Sequence, residues 1–233
     1  MNNVQRRVLS TFLPLTVLIL ILDNIYPCSN AVYYVKYTTT VSLFLTAFAL
    51  RKKYPEQILM TTAVFFVAAA DFFFVFSRTM PELNVNREVA GTLFFLLAYL
   101  TLIYAWQKKI RQNRNEILAA LVVTTIYTPS FLKLYPHIGW TLLPGAAFFG
   151  LVLCYLAWTA LCTVFRGYFL PRASYCIALA GLLMLISDLG VAHAVFNPAF
   201  AGRFVPWLSN FIWATYVPAW TLVVCLIAED KLK

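Results

Sequence analysis

Three charged side chains, Lys36, Asp71 and Asp188, stand inside long apolar runs, and their types are suited to chemistry. In hydrocarbon a charged side chain costs at least a few kcal/mol, so such residues face the interior of a helical bundle and mark a functional site. Two carboxylates held near each other in low dielectric tend to divide their roles: one stays protonated as an acid and the other ionised as a base. That division suits acid-catalysed hydrolysis. Tyr99 and Tyr216 are candidate supporting residues. His193, one turn beyond Asp188, is a candidate proton relay or an interfacial residue. Asp23 is expected at the outer end of the first helix, in headgroup water.

Other chemistries lack their residues. With His137 and His193 as the sole histidines, a three-histidine zinc hydrolase is excluded, and no metal or other cofactor is expected. No serine sits in a G-x-S-x-G elbow, which leaves a Ser-His-Asp triad unsupported. A retinal Schiff base would need its lysine elsewhere than in the second apolar run. The five cysteines show no C-x-x-C spacing, so neither a disulfide framework nor a metal knuckle is implied.

The elements that position these residues follow from hydropathy. Of 233 residues, 62% are hydrophobic and 12% charged, well beyond the apolar content of a soluble domain. The net charge of +9 sits in short clusters between apolar runs and not along one face, so no nucleic-acid partner is implied. A helix needs about 20 mainly apolar residues to cross the hydrocarbon. Such runs occur at 8–25, 31–50, 57–76, 88–106, 116–135, 140–164, 173–196 and 204–227, with Pro129 and Pro144 placed to kink or shorten the fifth and sixth. The first run is too long for a usual signal peptide and is read as a retained helix. The expected fold is therefore all-α: one polytopic bundle of about eight transmembrane helices spanning residues 1–233, with no separate soluble domain.

Eight alternating spans put 13 of the 18 Lys and Arg residues on one side and 4 on the other, Lys36 lying within a span. That bias places both termini in the cytoplasm. At 1.5 Å per residue, Asp71, Asp188 and Lys36 all lie about 21–22 Å from the cytoplasmic surface, and Tyr99 and Tyr216 about 16–18 Å below the outer one. One shared site in the outer half of the bilayer is expected. Asp71 and Asp188 are also 117 residues apart, about half the chain, as two parallel four-helix repeats would have them, although their flanking residues match poorly.

A resemblance adds to this reading. Lys36 opens the second helix, Asp71 lies within an apolar third, Gly91 is followed four residues on by Phe95, and the segment from Gly181 runs to Ser187-Asp188, with Tyr216 and Ala219 in the last helix. In this order the chain resembles the YhhN family of lysoplasmalogenase-like eight-helix membrane proteins over nearly its whole length. It departs at Tyr37, Ala70, Tyr99 and Trp220, where the family usually has proline, glycine, histidine and glutamine. The resemblance implies hydrolysis of the vinyl ether bond of a lysoplasmalogen in a bacterial cytoplasmic membrane, with Asp71 and Asp188 as the acid and the water-orienting base. Lys36 would then hold an aspartate ionised or meet the lipid phosphate, and Ser187, beside Asp188 in the matching segment, would be a supporting residue. The partners implied are a lysophospholipid substrate and membrane lipids, with no protein partner. The competing functions are a proton-coupled carrier, for which paired intramembrane aspartates are equally natural, and a lipid-binding protein without turnover.

Overall fold

The computed structural model describes residues 1–80, 82–83, 86–110 and 113–233; Arg111, one of the 13 basic residues counted on the cytoplasmic side, lies outside them. Among the described residues the chain forms eight long helices and no strand: α1 (Asn3–Ile25), α2 (Asn30–Ala49), α3 (Pro55–Phe74), α4 (Arg87–Trp106), α5 (Arg114–Leu134), α6 (Leu143–Arg166), α7 (Pro171–Phe196) and α8 (Pro206–Ile227). Lipid offers no hydrogen bonds, so backbone amides there must be satisfied within each helix. The helix starts follow from capping chemistry. Asn2 accepts from the Gln5 amide and Gln5 from the Asn2 amide, a capping box that begins α1 five residues earlier than its apolar run. Prolines occupy the first turns of α3, α6, α7 and α8, where the missing N–H has no helical partner to lose. Pro144 thus starts the sixth helix at Leu143, while Pro129 is carried inside an unbroken α5.

Seven of the eight helices are long and apolar enough to cross a membrane. The exception is α2, diluted by Lys36, Thr38, Thr39, Thr40, Ser42 and Thr46 and held against α1, α3 and α8. The molecule is a polytopic membrane bundle in which α8 is the most enclosed span and α5 the most exposed. Both termini lie at one end: the Asn2 amide donates to Ala228 O (2.7 Å), Gln5 to Cys225 O (3.0 Å), and Lys233 pairs with Glu56 (2.9 Å).

The 117-residue spacing of the aspartates has a structural counterpart. Moved 117 positions along the chain, α2, α3 and α4 fall on 147–166, 172–191 and 204–223, within a few residues of α6, α7 and α8; α1 and α5 correspond less closely. The halves pack differently. In the α6–α7 seam, Gly181 lies so close to α6 that a Cβ there would stand 2.4 Å from the Ala160 Cβ, the close approach that small residues allow between membrane helices. The corresponding α2–α3 seam is lined by aromatic side chains and leaves a groove.

Candidate active site

Asp71 stands near the end of α3 with its side chain turned into the bundle, where the residue is 3% exposed. Its Oδ2 accepts two hydroxyl hydrogens, from Thr40 on α2 (2.6 Å) and from Tyr216 on α8 (2.9 Å). Asp188, mid-way along α7 and half-buried, accepts at Oδ2 from Tyr99 on α4 (2.6 Å). Phe95 lies between the two tyrosines, its ring 6.0 Å from that of Tyr99 and 6.1 Å from that of Tyr216. Neither carboxylate forms an ion pair among the described residues.

This arrangement is reciprocal. Tyr99 and Tyr216 are separated by 117 residues, as the aspartates are, yet each tyrosine donates to the aspartate of the other half. Each half therefore completes the other's site. The symmetry breaks at Thr40, whose counterpart 117 positions on is Ala157, so Asp71 receives one hydroxyl more than Asp188.

Lys36 does not reach this pair. Its ammonium bonds Asp23 Oδ1 at 2.8 Å, and Ser209 donates to the other oxygen of Asp23. Asp23 is 2% exposed, which corrects its expected place in headgroup water: the α1–α2 hairpin folds it against Lys36, and a buried charge of either sign requires the other. Lys36 also lies 4.9 Å from the ring centre of Trp213, whose edge meets Tyr216, and Thr40 follows it by one turn. The ion pair thus adjoins the carboxylates without joining them. Ser187 donates to Ile212 O (3.3 Å) and ties α7 to α8. His193 sits in the α5–α7 seam, its Nε2 2.9 Å from Ser130 Oγ and its Nδ1 3.3 Å from the Asn197 amide nitrogen. Because Asn197 Oδ1 is taken by the Ala199 amide, Nδ2 is the donor to Nδ1, and the ring proton sits on Nε2, which cannot then act as base toward Ser130.

Sequence reasoning missed Thr40 and the role of Asp23. A signal existed for the first: Thr40 is four residues after Lys36 and so on the same helix face. Tyr99 and Trp220, two of the positions that depart from the family pattern, turn out to be neighbours, with rings parallel within 4° and centroids 6.5 Å apart. The Trp220 indole N–H, on a side chain 1% exposed, has no acceptor among the described residues.

An all-helical membrane bundle with two carboxylates among its helices, Asp71 buried and Asp188 half-buried, each bonded by a hydroxyl from the opposite half, defines the class of the protein: a polytopic membrane protein with an intramembrane carboxylate site. Within that class the chain belongs to the YhhN family, whose model matches residues 31–226. Searches of curated proteins and of solved structures gave no match.

Proposed function

We propose that the protein is a hydrolase of the cytoplasmic membrane that cleaves the vinyl ether bond of lysoplasmalogens, with Asp71 and Asp188 as its acid and base. The observation that carries this reading is the pair of hydroxyl-bonded carboxylates, one buried and one half-buried, without an ionic partner among the described residues. A carboxyl group tied to a lysine would be held ionised; these two are bonded only by hydroxyls, a setting in which a proton can be held, given and taken back. In the reaction one aspartic acid gives its proton to the β-carbon of the vinyl ether. The electron pair of the C=C bond forms the new C–H bond, and the ether oxygen stabilises the resulting oxocarbenium ion. The other aspartate takes a proton from water as the water oxygen bonds to the cationic carbon. The hemiacetal then collapses to a fatty aldehyde and a glycerophospho-alcohol, and the proton balance closes between the two carboxyls. Tyr99 and Tyr216 are positioning residues that fix one oxygen of each.

Purified protein given a lysoplasmalogen in detergent is expected to release fatty aldehyde and to leave an ester lysolipid of equal chain length intact, because the ester has no basic β-carbon to protonate. Asp71→Asn and Asp188→Asn should each abolish turnover while the protein remains folded, since an amide keeps the shape but moves no proton. Lipid binding without aldehyde release by the unaltered protein would overturn the hydrolase reading. It would favour a non-catalytic lipid site in which the Tyr99–Trp220 stack stands where the family usually has histidine and glutamine.

A further inference from the structure

The groove in the α2–α3 seam holds about 360 Å³ and is lined by Tyr37, Val41, Phe44, Phe65, Ala68 and Phe72, among others. At about 30 Å³ for a water-sized group, that is space for roughly a dozen methylenes, the scale of one alkyl chain. Three features make it more than a gap between lipid-facing helices. First, it adjoins the site: Ala68 and Phe72 flank Asp71 on α3, Tyr37 and Val41 flank Thr40 on α2, and the Thr40–Asp71 bond closes the seam beside it. Second, the equivalent helices of the other half approach closely where Gly181 meets Ala160, and Ala157 replaces Thr40 there. At the counterpart positions this half carries the larger Val64 and Leu43, both buried, where the other has Gly181 and Ala160.

Third, the end of the groove away from the termini leads to a cation. Phe76 continues the aromatic wall, 4.8 Å from the Tyr37 ring and 5.6 Å from that of Phe72. Two residues on, Arg78 is exposed, its Nε bonded to Phe74 O (2.9 Å) and its guanidinium 5.9 Å from the centre of the Tyr33 ring. It has no carboxylate partner among the described residues. An arginine so placed, at the edge of the apolar region, suits a phosphate. Along the chain Arg78 is seven residues beyond Asp71, a rise of about 10 Å if helical, which a glycerol unit and the arginine's own reach together span.

We propose that this groove docks a single-chain phospholipid, with its alkyl chain between α2 and α3, its phosphate on Arg78 and its first chain carbons beside the Thr40–Asp71 bond. The docking deepens the hydrolase reading by giving the substrate a route to Asp71, but it stands on its own binding measurement. Thr40 is the residue that must part from Asp71 for a chain carbon to approach the carboxyl.

The test uses the full chain in detergent and a lysophosphatidylethanolamine carrying a diazirine at its chain end, with adducts mapped by peptide mass spectrometry after irradiation. Adducts are expected within 37–45 and 65–73. Ala69→Phe, which fills the groove from α3, should reduce them about tenfold; Leu45→Trp, on the exposed opposite wall, does the same where the first variant fails to fold. Arg78→Gln should reduce labelling by the phospholipid probe and leave labelling by a monoacylglycerol diazirine probe unchanged. Adducts spread over all lipid-facing helices, or an equal effect of Arg78→Gln on both probes, would overturn the proposal. Aldehyde release from a lysoplasmalogen, with probe adducts elsewhere, would sink the groove and spare the hydrolase; groove adducts from a protein that releases no aldehyde from a lysoplasmalogen would do the reverse.

Discussion

At the scale of single residues, the two tyrosines separate positioning from proton transfer. Tyr99→Phe removes the hydroxyl that bonds Asp188, and Tyr216→Phe removes one of the two on Asp71. A hydrogen bond to a charged group contributes about 1.5–3 kcal/mol, so each variant is expected to lose roughly ten- to a hundredfold in aldehyde release. Tyr216→Phe should be the milder, because Thr40 remains on Asp71. A stopped assay with each variant checks the order. Lys36 and Asp23 call for a different measurement. Removing one partner leaves the other buried and uncompensated, which costs about 3–5 kcal/mol. Lys36→Met and Asp23→Leu should each lower the unfolding temperature in detergent markedly, and the double variant by less than the sum of the two. Additive losses would mean that the 2.8 Å contact carries no coupling.

At the scale of helices, the contrast between the two equivalent seams can be tested by moving a methyl group. Gly181→Ala places a Cβ 2.4 Å from the Cβ of Ala160, and both are fixed to backbone, so α6 and α7 must separate. A cost of about 1–3 kcal/mol is expected. Ala160→Gly in the same chain should restore most of it, read as recovery of the thermal midpoint; a double variant no better than the single would show that the seam is not what Gly181 protects. Helix existence was legible in the apolar runs, but these set four starts at 57, 140, 173 and 204, two or three residues from the true ones beside the prolines at 55, 144, 171 and 206. The start of α1 was not legible, because the Asn2–Gln5 capping box is polar and lies ahead of the apolar run used to find the helix.

At the scale of the molecule, both termini meet at the end of the bundle where Lys53 pairs with Asp230, Arg172 donates to Gln5 and Lys233 pairs with Glu56. The concentration of Lys and Arg at that end predicts that it faces the cytoplasm. Reporter fusions at the C-terminus and within 108–114 should both report cytoplasm, and fusions near Arg78 or Arg87 the opposite side. A C-terminus found outside would refute the orientation, though not the bundle.

The sequence by itself determined the solvent, the helices and the depth of the charges. An apolar run in lipid has to satisfy its own backbone, and a fixed rise of 1.5 Å per residue converts position along a run into depth. It also held the 117-residue spacing of the aspartates and, unremarked, the identical spacing of the tyrosines. What depth leaves open is direction around each helix axis and the identity of its neighbours, and these only the tertiary structure decided. Lys36, expected level with Asp71, lies one turn from the Thr40 that meets Asp71 and bonds Asp23; Tyr99 and Tyr216 cross to the aspartates of opposite halves. The physical reason is that a buried polar group takes whichever partner the packed helices bring within about 3 Å, and packing is set by small apolar residues such as Gly181 and Ala160, far in sequence from the groups whose partners they choose.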